Sequence, residues 1–310
     1  MKKITGIVLT AMLLFSTLSA CGSQETVSNT TKNTTQTTTQ SSSQSTKQEI
    51  NHTDEVSLSG TVKTGGSTSV EKVMTALIYQ FRMEHPDIAV DYEMNGSGDG
   101  IKNTMNGLYD IGHSSRELKT DGSEDGLTPL AYAIDGIAVI LHKDNQISDL
   151  SGEQLKKIYT GEITNWSEVG GDDALISVVT REDSSGTRSA FAEIIGLEKK
   201  DDPSTALLPT ATTCNSTGAV QTTVSQNRNA IGYMSFSDVD TEQIQTAKYN
   251  GTEISTETLK DGSYMLKREF FLLIKSDSSP SPIAQAFIDF VLSAEGQALV
   301  QDNKLLPTES

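Results

Sequence analysis

The segment Leu175-Ile176-Ser177-Val178-Val179-Thr180-Arg181-Glu182-Asp183-Ser184-Ser185-Gly186-Thr187-Arg188 runs from an apolar strand pattern straight into a loop of small, donor-bearing residues. A helical pattern over 189–195 follows it. A strand, a Gly/Ser/Thr loop and a helix in that order place unpaired backbone N–H groups and hydroxyls at a helix N-terminus, where the positive end of the dipole favours an anion. Arg181, at the strand's end, adds a guanidinium suited to a bidentate grip on oxygen.

Reading outward, the same grammar occurs twice more. A strand over 58–63 leads through Gly65-Gly66-Ser67-Thr68-Ser69 into a helix whose stripe is Val70, Val73, Met74, Leu77, Ile78 and Phe81, closed by Pro86. A strand over 88–93 leads through Asn95-Gly96-Ser97-Gly98-Asp99-Gly100 into a helix near Ile101. Further strands are expected at 110–113, 131–141, 231–234 and 265–274. Helices are expected after the capping box Ser151-Gly152-Glu153-Gln154 and over 283–292. Alternation of this kind argues an α/β architecture with parallel strands. Singly, each loop is also what an ordinary helix cap looks like. Three together match the rule that ligands of open α/β sheets bind beyond the carboxyl ends of the strands. The implied ligand is small and rich in acceptor oxygens.

The flanks and composition narrow the field. Met1-Lys2-Lys3, an apolar run from Ile4 to Leu18 and Leu18-Ser19-Ala20-Cys21 read as a signal peptide over 1–20, too short to span a bilayer as a mature helix. The Leu-Ser-Ala-Cys ending resembles a bacterial lipobox, which makes Cys21 the lipidated N-terminus of an exported protein held to the outer face of the cell membrane. The stretch 21–55 is Ser/Thr/Gln-rich and reads as a flexible tether, of a length suited to a Gram-positive-like wall. A net charge of −17 without a basic stripe argues against a nucleic-acid partner. Cys214 is the only cysteine beyond the lipobox, so no disulfide is expected within the globular part. His52, His85, His113 and His142 lack metal-ligand spacing, and no metal or cofactor is implied.

Seven motifs in order then carry a resemblance. They are Gly65 to Ser69, Asn95 to Ile101, Asp110-Ile111-Gly112-His113-Ser114-Ser115-Arg116, Asp135-Gly136-Ile137-Ala138-Val139, Thr160-Gly161-Glu162-Ile163-Thr164-Asn165-Trp166, Arg181 to Arg188, and Ala230-Ile231-Gly232-Tyr233. Together they resemble the phosphate-binding proteins of bacterial ABC phosphate transporters. The resemblance implies a type II periplasmic binding protein fold, with two α/β lobes joined by crossing strands. Lobe 1 would be 56–136 plus 236–310 and lobe 2 would be 137–235, with crossings near 134–139 and near Tyr233. It also implies a monomer that takes inorganic phosphate to the permease subunits of an importer. The phosphate ligands would be Thr68, Ser69, Ser97, Ser115, Arg181, Ser185, Gly186 and Thr187. Ser67, Asp183 and Arg116 would stand behind them, Asp183 steadying Arg181.

One position departs from the family, which often carries an aspartate where Ser115 stands and uses it to accept the proton of a protonated phosphate. A hydroxyl can either accept or donate, so sulfate and molybdate remain alternative ligands. A phosphatase is the alternative of another class. Asn95 stands where a nucleophile elbow around Ser97 needs its first glycine, and Gly100-Ile101-Lys102 lacks the upstream spacing of a P-loop. The run Asp121 to Gly126 resembles a calcium loop, but Tyr132 stands at the place of the bidentate glutamate. Trp166, Tyr233 and Phe236 read as core residues.

Overall fold

The computed structural model describes residues 58–308 apart from residue 200. The signal peptide, Cys21 and the tether lie outside the described residues. In the first half of the globular part the strands and helices are β1 (Gly60–Gly66), α1 (Glu71–Glu84), β2 (Ile88–Met94), α2 (Ser97–Met105), β3 (Ile111–Ser114), β4 (Leu127–His142), β5 (Asp149–Leu150), α3 (Gly152–Thr160) and β6 (Ser177–Arg181). Next come α4 (Gly186–Ile195), β7 (Thr212–Cys214), α5 (Thr217–Ser225), β8 (Ala230–Ser235), β9 (Ile244–Tyr249), α6 (Thr256–Lys260), β10 (Lys267–Lys275), α7 (Pro282–Leu292), α8 (Ala294–Asp302) and β11 (Leu306–Pro307).

The hydrogen-bonded strand path is β2-β1-β3-β10-β4-β8-β6-β7. β1 pairs in parallel with β2 and β3, and β6 in parallel with β7 and β8. Two antiparallel strands stand between these parallel sets: β10 pairs with β3 and β4, and β4 pairs with β8. β4 is the seam. Its residues up to Gly136 pair with β10, and from Ile137 onward it pairs with β8 and β9.

Two large hydrophobic cores follow from that division, beside a small third cluster of Ile101, Leu127, Phe271 and Leu273. One contains Val62, Phe81, Ala133, Phe270 and Phe287; the other contains Ile137, Tyr159, Phe191, Tyr233 and Leu266. Trp166 packs in the second core, its indole N–H donating to the Asn229 carbonyl at 3.1 Å. Phe236 packs against the same core half-buried, with Lys304 over its ring.

The boundaries differ from expectation in two ways. Two of the three donor loops run into the first turns of their helices, α2 beginning at Ser97 and α4 at Gly186, while the turn through Thr68 and Ser69 stands ahead of α1. Residues 239–266, expected in lobe 1, pack into the second core through Val239, Ile244, Ile254 and Leu266, because β9 pairs along the second half of β4. The chain passes between cores at 133–137 on β4 and at 266–270 leading into β10, and not near Tyr233, which lies inside the second core. Elements β7, α5, β9 and α8 carry short or weakly periodic apolar patterns.

The second core centres on an aromatic triad, with Phe191 stacked on Tyr233 at 4.1 Å and edge-on to Tyr159 at 5.0 Å. Phe191→Ala is expected to destabilise the protein by about 3–5 kcal/mol, read as a lowered midpoint in urea unfolding.

Candidate ligand-binding site

Each donor group is placed by the end of a strand. β1 becomes fully buried toward its carboxyl end and finishes at Gly66, whose φ of +138° and whose Cα lie so close to the His113 carbonyl that a Cβ there would fall 2.2 Å from it. Ser67 then caps a short turn through Thr68 and Ser69, its hydroxyl accepting from the Ser69 N–H at 3.2 Å. β3 delivers Ser114 and Ser115, and β6 delivers Arg181. Ser185 caps α4 by accepting from the Arg188 N–H, and Ser216 caps α5 ahead of Thr217.

These segments converge on one buried cluster. Ser69 and Thr187 share a hydrogen bond of 2.7 Å between their hydroxyls, and Thr217 lies 3.2 Å from Ser69 and 3.3 Å from Thr68. Arg181 donates through Nη2 to Thr68 Oγ1 at 3.0 Å and through Nη1 to Thr217 Oγ1 at 3.4 Å. Ser67 donates to Ser115 Oγ at 2.8 Å, while Ser97 Oγ accepts from the Ser115 N–H at 3.1 Å. Gly186 joins the two groups: a Cβ on it would stand 2.3 Å from Ser97 Oγ and 2.6 Å from Ser115 Oγ. Thr68, Arg181 and Thr217 are each no more than 3% exposed. Buried hydroxyls must be hydrogen-bonded, and here they satisfy one another and the guanidinium.

The structure therefore brings together Thr68, Ser69, Ser97, Ser115, Arg181, Gly186 and Thr187. Ser185 is buried beside them, its oxygen accepting from the Arg188 N–H at 3.3 Å, a bond that leaves its own O–H unused as a donor. Ser67 orients Ser115. Asp183 does not steady Arg181. The turn closed by the Ser185 N–H on the Glu182 carbonyl leaves Asp183 at its corner, 94% exposed and paired with Arg188. Glu182, ahead of the turn, makes the bidentate contact with Arg181, at 2.8 Å from Nε and 2.7 Å from Nη2. Arg116 is held by both carboxylate oxygens of Glu124 and by the Glu117 carbonyl, and among the described residues its side chain forms no hydrogen bond with the cluster.

Two residues escaped the sequence reading. Thr217 belongs to a fourth strand–turn–helix passage, Thr212 to Gly218, whose Asn215-Ser216-Thr217-Gly218 has the same donor-rich composition behind a strand of only three residues. Arg268, the buried member of the charged run Lys267-Arg268-Glu269 that opens β10, donates to the Ser115 carbonyl at 3.3 Å.

The chemistry on offer is donation. Among the described residues, no hydroxyl of the cluster is hydrogen-bonded to a histidine, carboxylate, lysine or cysteine, so none has a base to activate it as a nucleophile. The nearby His113 bonds Thr64 instead, and burial pushes its pKa down to about 3, leaving the ring neutral. No cluster of metal-ligating side chains occurs among the described residues.

The family described as a PBP superfamily domain matches residues 33–295. The phosphate-binding protein PstS of Borreliella burgdorferi is 30% identical over 250 residues, covering 79% of this chain and 89% of that protein. The chain belongs to the PstS family of the PBP superfamily. The PstS of Bacillus subtilis is 28% identical over 258 residues, 82% of each chain. Among solved structures, a Clostridium perfringens phosphate ABC transporter substrate-binding protein with bound phosphate superposes with a TM-score of 0.76 at 41% identity, over 81% of this chain and all of that one. An ABC-type phosphate transport receptor from Vibrio cholerae superposes with a TM-score of 0.67 at 33% identity, over 80% of this chain and all of that one. Membership brings with it the periplasmic binding protein fold, which the two sheet halves meeting at β4 display.

Because Gly186 is where the hydroxyls of Ser97 and Ser115 meet α4, Gly186→Ala is expected to push them off. Oxyanion affinity of the folded variant should fall about tenfold or more in a calorimetric titration.

Proposed function

We propose that this protein captures inorganic phosphate outside the cell and delivers it to the permease subunits of an ABC importer. The observation that carries this reading is the convergence of buried hydroxyls from four strand–turn–helix passages on one cluster that includes the Arg181 guanidinium, where among the described residues the one carboxylate is that of Glu182, paired with the arginine. Phosphate would be held by Thr68, Ser69, Ser97, Ser115, Arg181, Gly186, Thr187 and Thr217. Its oxygens would replace the hydroxyls as acceptors for the guanidinium and free those hydroxyls to donate. The relatives named as phosphate-binding proteins and the phosphate-bound neighbour support the choice of ligand.

The two cores are read as two lobes, one formed by 58–136 with 267–308 and the other by 137–266, hinged at the two crossings. The signal peptide and Cys21 make the protein exported and lipid-anchored, with the tether as spacer. It acts as a monomeric receptor, without cofactor or catalysis.

Calorimetry should show phosphate binding to the soluble fragment and a raised melting temperature, while equimolar sulfate does little. An equal response to both would leave oxyanion capture and remove phosphate specificity. Arg181→Ala should weaken phosphate binding about a hundredfold, as expected for a charged hydrogen-bond partner lost from a buried site. Incubation with a chromogenic phosphate ester should release no product. Sustained turnover would instead establish a phosphatase.

A further inference from the structure

The two strands by which the chain passes between its cores carry a buried ion pair at the crossing. Asp135 of β4 and Arg268 of β10 are direct register partners, 0% and 7% exposed. Arg268 donates to Asp135 Oδ2 through Nη2 at 2.9 Å and through Nε at 3.2 Å, and its Nη1 reaches the Ser115 carbonyl at 3.3 Å. The other carboxylate oxygen accepts from the Ser235 hydroxyl at 2.8 Å, at the end of β8. Ser235 shares a hydrogen bond with Ser237, whose carbonyl accepts from Lys72 of α1 at 2.9 Å. The pair thus links a site residue on the first sheet half with a strand of the second.

A buried ion pair is a poor source of stability, because an apolar pair of similar volume serves as well or better. Burial pushes the Asp135 carboxyl upward and the Arg268 guanidinium downward, each against the pull of the other. What an apolar pair could not supply is the planar fork that holds a carboxylate with one edge and a backbone carbonyl with the other.

We propose that Arg268, oriented by Asp135, is a positioning residue of the phosphate site, fixing Ser115 relative to the second core at the crossing of the two strands. This inference rests on the reading of the hydroxyl cluster as a phosphate site. The pair touches no ligand itself. It sets where the Ser115 hydroxyl stands when Arg181, Gly186 and Thr187 approach from the other core.

Two variants of the full mature chain test it. Arg268→Lys keeps a cation opposite Asp135 but lacks the second arm to Ser115. Asp135→Asn combined with Arg268→Gln removes both charges together and leaves neither buried alone. Each is measured for thermal unfolding without ligand and for phosphate Kd by calorimetry. The expected result is a folded protein whose phosphate Kd rises about tenfold in both variants, a shift within the usual range of coupling between sites. A purely structural pair would lower the melting temperature and leave affinity alone. A Kd within about twofold of wild type in either folded variant overturns the inference, given coupling of that usual size. Failure of both variants to fold would make the pair a staple of the fold and overturn it too. Absence of phosphate binding by the wild-type chain is a separate outcome, which overturns the functional reading beneath it.

Discussion

A guanidinium only 2% exposed is the constraint around which the site is organised. Taking such a charge out of water is sustained only when its N–H groups are paired. Glu182 occupies Nε and one position of Nη2, and the remaining contacts fall to the hydroxyls of Thr68 and Thr217. Those two threonines stand on opposite sides of the division between the cores, so satisfying one buried charge requires both sides of the molecule at once. It also explains how a chain with net charge −17 can hold an anion. Charges on the outer surface are screened beyond about 8 Å in physiological salt, and the bond is decided by dipoles and one cation inside that distance.

The parts of the fold that were legible in the sequence were those encoded locally. α1 shows a full apolar stripe, β4 a long apolar run, and the loops at 65–69, 95–100 and 181–187 announce donors in their own composition. Pairing is not local. The antiparallel insertion of β10 between β3 and β4 leaves no trace in periodicity, and it moves the second crossing to 266–270. Side-chain choice is not local either. Glu182 and Asp183 are adjacent acids, and only the turn closed at Ser185 decides which of them faces the guanidinium. Thr217 was hidden because β7 is three residues long, too short to give an alternating pattern.

The direction of the hydroxyl network bears on what the site can do. The Ser69 N–H gives to Ser67, and Ser67 gives to Ser115, so the Ser115 hydroxyl has its own proton left to pass on. A chain of donors that polarise one another ends in a stronger donor, which suits an oxyanion. Among the described residues, no histidine, carboxylate, lysine or cysteine is hydrogen-bonded to that chain of hydroxyls.

Neither core can assemble this site alone. Ser67, Thr68, Ser69, Ser97 and Ser115 come with the sheet half of β1 and β3, while Arg181, Gly186, Thr187 and Thr217 come with that of β6 and β7. An anion touching both sets binds only the arrangement in which they meet. It must therefore stabilise that arrangement by the full difference in its affinity for the met and parted forms. The hydroxyl contacts across the division, such as Ser69 with Thr187, already satisfy the buried donors where the halves meet, so the met form does not depend on an anion to avoid unpaired groups. On the proposed reading, what an anion adds is the exchange of hydroxyl acceptors for charged oxygens at Arg181.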